Sequence, residues 1–218
     1  MEPSKTEATS CGEGRGSHRR LETKGLAAYK KKAARLGAHL VFADESGFLL
    51  LPYVAKTWAP QGCTPVHRHR QRSRQRISVI SALSVSPRQQ RLGLYYQLYL
   101  DGIGRQEVCI FLRHLLRHLR GPVVVLLDNS STHRYGELKQ LLQEKKSRLF
   151  LEYFPAYAPE LNPDEGVWSL SKRAMANSCL LDMDQLIEEV IGSMEQIRRS
   201  SRKLRGCILQ SELPSFLR

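Results

Sequence analysis

The chain is 218 residues long, 41% hydrophobic, and carries a formal net charge of +13, so it fits one domain with a sizeable core and calls for a polyanionic partner such as nucleic acid. Its five cysteines (Cys11, Cys63, Cys109, Cys179 and Cys207) are widely spaced with no Cys-x-x-Cys, which argues against a disulfide framework or zinc site and for reduced thiols in the cytoplasm. No apolar run nears the roughly 20 residues of a membrane span, and Met1-Glu-Pro-Ser-Lys5 has no apolar signal-peptide segment.

Residues 1–20 are rich in Ser, Gly, Glu, Thr and Arg and have too little apolar surface to offset ordering entropy, so disorder is expected there. Leu21–Leu36 reads as a short basic helix carrying Lys30, Lys31, Lys32 and Arg35. Together they form an N-terminal extension, 1–37, ahead of a domain spanning 38–218. His39–Asp44 is the first expected strand, Arg76–Leu83 the second, and the aromatic-rich Leu92–Leu100 the third, with Ser86–Gln90 as the turn before it.

A helix follows, in which Val108, Phe111, Leu112, Leu115, Leu116 and Leu119 keep a 3.6-residue stripe. Gly121-Pro122 stops it, and Val123–Leu127 is a fully apolar strand of the sheet interior. Tyr135–Lys146 reads as a helix with Leu138, Leu141 and Leu142 inward, and Arg148–Tyr153 as a strand. Asn162-Pro163 has the form of an N-cap followed by proline at the first helical position. That helix runs through Trp168 and Lys172 to about Ala176, and a last amphipathic helix covers about Asp184–Arg199. The expected fold is α/β, a mixed five-stranded sheet flanked by helices.

Three acids stand where structure alone explains them poorly. Asp44 ends the run His39-Leu-Val-Phe-Ala-Asp44, Asp128 ends Val123-Val-Val-Leu-Leu-Asp128, and Glu165 sits at the start of the helix after Asn162-Pro163. A strand ending in Asp presents a carboxylate at the rim of an open sheet, where ligands bind. Two such rims and a helical acid make an all-oxygen site of the kind hard cations such as Mg²⁺ prefer. Two divalent ions about 3.5–4 Å apart can assist both the attacking water and the leaving oxygen of a phosphodiester. On spacing alone, Glu45 rivals Asp44, and Asp164 and Glu160 rival Glu165.

Three stretches carry a resemblance: Phe42-Ala-Asp-Glu-Ser-Gly-Phe48, Leu127-Asp-Asn-Ser-Ser-Thr-His133, and Phe154-Pro-Ala-Tyr-Ala-Pro-Glu-Leu-Asn-Pro-Asp-Glu165. They resemble the signature blocks of DDE transposases, in the Tc/mariner superfamily and its bacterial insertion-sequence branch. Trp58-Ala-Pro-Gln-Gly62 and the stretch ending at Trp168 are similar to that branch as well. The resemblance covers Ala38 to the C-terminus and implies a ribonuclease-H-like fold. It implies Asp44, Asp128 and Glu165 as the triad holding two Mg²⁺ or Mn²⁺ ions, with cleavage and joining of double-stranded DNA at element ends and in the target. It also implies a cytoplasmic, nucleoid-associated enzyme of bacteria.

Family members carry a helix-turn-helix region ahead of the first Asp, whereas about 40 residues precede Asp44 here. The chain therefore reads as a catalytic half, with end recognition supplied by a separate helix-turn-helix polypeptide or second subunit, and a homodimer as one arrangement. The rival readings are a catalytically silent DNA-binding remnant and another ribonuclease-H-like nuclease.

Arg68, Arg70, Arg72, Arg74 and Arg76 recur at every second position. In an extended segment they project from one side about 6.6 Å apart and can track successive phosphates. Lys172 is a further candidate phosphate contact, and His133 a candidate contact to substrate, cap or packing residue. Trp168, one turn beyond Glu165, reads as a core anchor that orients it.

Overall fold

A computed structural model describes residues 28–51, 53–63, 66, 75–88, 91–128, 136–155 and 158–213. The sheet is organised around β4 (Val123–Leu127), five aliphatic residues each 1% exposed or less. A segment apolar on both faces needs a neighbour on each edge and a cover on each side. β1 (His39–Leu49) and β5 (Leu149–Tyr153) flank it in parallel. β2 (Arg76–Val85) and β3 (Leu92–Tyr99) continue the sheet antiparallel beyond β1, in the order β3-β2-β1-β4-β5.

Alternation along the strands divides the core in two. Leu40 and Phe42 of β1, Val79 and Leu83 of β2, and Val124 and Leu126 of β4 face one cluster. Val41 and Ala43, Ile80 and Ala82, and Val123, Val125 and Leu127 face the other. The second face is covered by α2 (Arg105–His118), whose stripe is the expected one, and by α3 (Glu137–Glu144) through Leu138 and Leu141. Arg148 donates to the carbonyls of Leu116 at 2.9 Å and Leu119 at 2.8 Å and so caps the C-terminal end of α2.

The first face receives α1 (28–36), α4 (Asp164–Ala174), α5 (Met183–Arg198) and α6 (Ser201–Gln210). α1 is tied to β5 by the Lys32–Glu152 ion pair at 2.5 Å. Its residues 28–36 lie inside the expected helix, while residues 1–20, for which disorder was expected, and residues 21–27 of that helix lie outside the described residues.

Two expectations need correction. Asp44 does not end its strand: β1 runs on to Leu49 because β2 pairs with it as far as Leu49↔Arg76. Phe48 and Leu50 beyond Asp44 are 4% and 5% exposed, and their burial carries the strand forward. Beyond the last expected helix the chain also forms α6, capped by Ser200, whose hydroxyl accepts from the Lys203 N–H at 3.3 Å.

Candidate active site

The parallel ladder between β1 and β4 stops at Phe42↔Leu126. Two residues further along stand Asp44, still within β1, and Asp128, the first residue past the end of β4. They share the parity of Leu40 and Phe42, and of Val124 and Leu126, so both acids belong to the face that α4 covers. Adjacent strands lie about 4.8 Å apart, so this register alone brings the two acids level where the strands part. Asp128 is exposed and Asp44 half-buried.

α4 closes the site from above. Asn162 is extended, and its Oδ1 accepts from the Asp164 N–H at 3.1 Å, while Pro163 already has helical dihedrals of φ −66 and ψ −18. The Asn-Pro cap expected from the sequence is therefore formed, and it starts the helix so that consecutive residues diverge. Glu165 is exposed and Asp164 is 0% exposed. One turn on, Trp168 is 3% exposed, packs edge-on against Phe48 at 6.0 Å, and donates from Nε1 to Asp44 Oδ2 at 3.1 Å. Trp168 thus orients Asp44 directly, a role beyond the anchoring of Glu165 that its spacing suggested.

The electrostatics follow from this crowding. Burial pushes the Asp44 carboxyl up from 3.8 to about 7, and the charges of Glu165 and Asp128 push the same way. Hydrogen bonds from the Glu45 backbone and the Trp168 indole oppose the rise. Burial also holds Asp164 well above the usual carboxylate range, with the charges of Asp44 and Glu165 adding to it and the Ser81 hydrogen bond opposing. The negative charges of Glu165 and Asp128 beside Asp44 make a rim that favours a cation. All their donors are oxygens, which suits a hard divalent ion. Among the described residues, no group of three or more His, Cys, Asp or Glu is drawn together closely enough to hold one metal ion.

The family model of the DDE superfamily endonucleases matches residues 39–187, from the start of β1 into α5. The chain belongs to that family. In fold this DDE endonuclease is similar to a Mos1 transposase paired-end complex with the left transposon end, at 16% identity and a TM-score of 0.55, over 97% of this chain and 68% of that one. The Mos1 mariner paired end complex with Mn gives 17% identity and a TM-score of 0.55, over 97% of this chain and 67% of that one. The catalytic domain of Mos1 mariner transposase gives 14% identity and a TM-score of 0.50, over 97% of this chain and 98% of that one. The shared architecture is the ribonuclease-H-like fold, a mixed five-stranded sheet flanked by helices. No curated protein matches the chain significantly.

Around Asp44, Asp128 and Glu165, the other sequence candidates divide. Lys172 lies two turns along α4 from Glu165, with its Nζ 5.7 Å from the centre of the Phe48 ring, a cation–π distance. Arg76 is exposed at the start of β2, whereas Arg68, Arg70, Arg72, Arg74 and His133 lie outside the described residues. Glu45 points away from Asp44 by strand alternation. Trp58 is 97% exposed. Sequence reasoning overlooked Ser81, which pairs with Asp44 across the β1–β2 ladder and donates from Oγ to Asp164 Oδ2 at 2.9 Å. The signal available for it was a hydroxyl inside the apolar alternation of β2. No helix among the described residues is long and apolar enough to cross a membrane.

Proposed function

We propose that this endonuclease is the catalytic domain of a Tc/mariner-type transposase of the bacterial insertion-sequence branch, working on double-stranded DNA at the nucleoid. The reading is that it cleaves DNA at the ends of its element and joins the freed end to target DNA. What supports it is that Glu165 and Asp128 lie near enough to Asp44 for their charges to raise its proton affinity. The signature blocks around these acids support the finer assignment.

In this reading the three carboxylates hold two Mg²⁺ or Mn²⁺ ions. When bound, such ions supply positive charge to the scissile phosphate and acidify the attacking water. The chain's own residues do the positioning. Trp168 and the Glu45 backbone N–H hold the Asp44 carboxylate in one orientation, and the Asn162-Pro163 cap fixes the start of the helix that carries Glu165. Water adds to phosphorus and the bond to the 3′ oxygen breaks, leaving a 3′-hydroxyl and a 5′-phosphate. That 3′-hydroxyl then attacks a target phosphodiester, forming one new bond to phosphorus as another breaks. The alternating arginines Arg68 to Arg76 and Lys172 serve the DNA backbone.

The test is incubation of the full chain with nicked or pre-cut DNA ends and Mn²⁺. Cleavage or joining by the wild type, lost in Asp128→Asn, is the expected result. A signal that persists in Asp128→Asn is not this chain's chemistry. Complete silence of the wild type, with DNA binding intact, would favour a DNA-binding remnant.

A further inference from the structure

Beside the acidic rim sits a pair of polar side chains that the proposed chemistry does not use. Ser81 and Asp164 are each 0% exposed, and the Ser81 hydroxyl donates to Asp164 Oδ2 at 2.9 Å. The other carboxyl oxygen, Oδ1, has no hydrogen-bond partner. A buried acceptor left half-satisfied weakens a fold, and an apolar pair of the same shape would pack at lower cost. Stability is therefore a poor reason for it, and its location supplies a better one.

Ser81 is the antiparallel partner of Asp44 and has the parity of Val79 and Leu83, so it stands beside Asp44 on the face that α4 covers. Asp44 and Ser81 thus lie side by side on β1 and β2, in a row that Asp128 continues just past the end of β4. α4 touches that row at two points, by Asp164 at Ser81 and by Trp168 at Asp44. Four residues along a helix span about 6 Å, close to the spacing of roughly 4.8 Å between neighbouring strands, so the two contacts fit two adjacent strands. A single contact would let the helix pivot; two fix its position and its rotation together. Glu165 lies between them in sequence, and its direction is set by both.

We propose that the Ser81–Asp164 hydrogen bond is a positioning device, with Asp164 a positioning residue that seats the first turn of α4 on β2 and thereby holds Glu165 and Trp168 in place over Asp44. The inference rests on the reading of Asp44 and Glu165 as metal ligands for its functional consequence, but the seating itself is measurable without metal. Apolar packing has no direction, whereas a buried hydrogen bond admits one register, and a catalytic acid needs that precision.

The chain contains two tryptophans, one 97% exposed (Trp58) and one 3% exposed (Trp168), so two indole N–H signals report the site and an internal reference. The experiment records these signals in the metal-free full chain and then titrates Mn²⁺. In Ser81→Ala the Trp168 signal moves and exchanges faster with solvent, Trp58 does not change, and Mn²⁺ affinity falls about tenfold or more, the scale of one buried hydrogen bond. Asp164→Asn keeps an acceptor oxygen for Ser81 and leaves both readouts within about twofold of wild type. Ser171→Ala removes the buried bond to Ser193 at 2.6 Å elsewhere on α4 and lowers stability without moving the Trp168 signal. Should Ser81→Ala not fold, Asp164→Ala removes the acceptor instead and is judged by the same signal.

An unmoved Trp168 signal in Ser81→Ala overturns the proposal. So does an equal movement in Ser171→Ala, which would mean general loosening of α4, or an Asp164→Asn that behaves like Ser81→Ala. A wild type that binds no Mn²⁺ defeats the metal reading alone, because the indole signal still decides the seating.

Discussion

Replacing Asp44 with Asn is expected to make the metal-free protein more stable while abolishing its response to metal. Burial, followed by the charges of Glu165 and Asp128, raises the Asp44 carboxyl from 3.8 to about 7. A group raised in this way contributes stability that is fully present below pH 3.8 and is lost as the pH rises through 7. A gap of roughly three pH units corresponds to at most about 4 kcal/mol at pH 8. Asn accepts the same hydrogen bonds from Trp168 and the Glu45 N–H without the charge. Asp44→Asn should then melt up to roughly 10 °C higher than wild type at pH 8 in EDTA, with the gap closing toward pH 4. Mn²⁺ should raise the wild-type midpoint at pH 8 and leave that of Asp44→Asn unchanged. Thermal melts of both proteins, with EDTA and with Mn²⁺ across this range, are the assay. A variant destabilised equally at both ends of the range would refute the claim that Asp44 is held against its charge.

The other predictions concern its neighbours. Trp168→Phe keeps the ring against Phe48 but removes the donor to Asp44; a loss of about 1.5–3 kcal/mol in Mn²⁺ binding is expected, seen by calorimetric titration. A Cβ added at Gly166 would meet Cys207 at 3.0 Å from Cβ and 3.1 Å from Cα, so Gly166→Ala should cost about 1–3 kcal/mol by denaturant unfolding. Gly47→Ala, with nothing within 4 Å, is the matched control and should be close to neutral. Changing three of Arg68, Arg70, Arg72, Arg74 and Arg76 to Gln should reduce the salt slope of DNA binding by up to about 3; an unaltered slope removes the stripe from the DNA-binding surface.

Local patterns in the chain account for most of the elements. The apolar stripe of α2 matches its buried face from Val108 to Leu116 but for Cys109, which is buried as well, because helical period and burial are both local properties. The aliphatic run Val123–Leu127 could only lie between two strands, and β1 and β5 flank it. The Asn162-Pro163 start was legible for the same reason, since a cap is made by residues two apart. α6 was not, because Arg202, Lys203 and Arg205 break up a stripe of only Leu204, Cys207 and Ile208.

The residues that support the site lay beyond such reasoning. Ser81 and Asp164 are 83 positions apart, and Asp44 and Trp168 are 124 apart. Nothing in the spacing of Trp168 from Glu165 says that its indole reaches a carboxylate on β1. From the chain alone come the acids themselves, their strand-end and helix-start settings, and the positive charge that points to DNA. Which of them face one another, which carboxyl is buried and which exposed, and what seats α4 over β1 and β2 depend on strand register and helix rotation. Those are set by contacts between distant segments, and sequence periodicity carries no information about them.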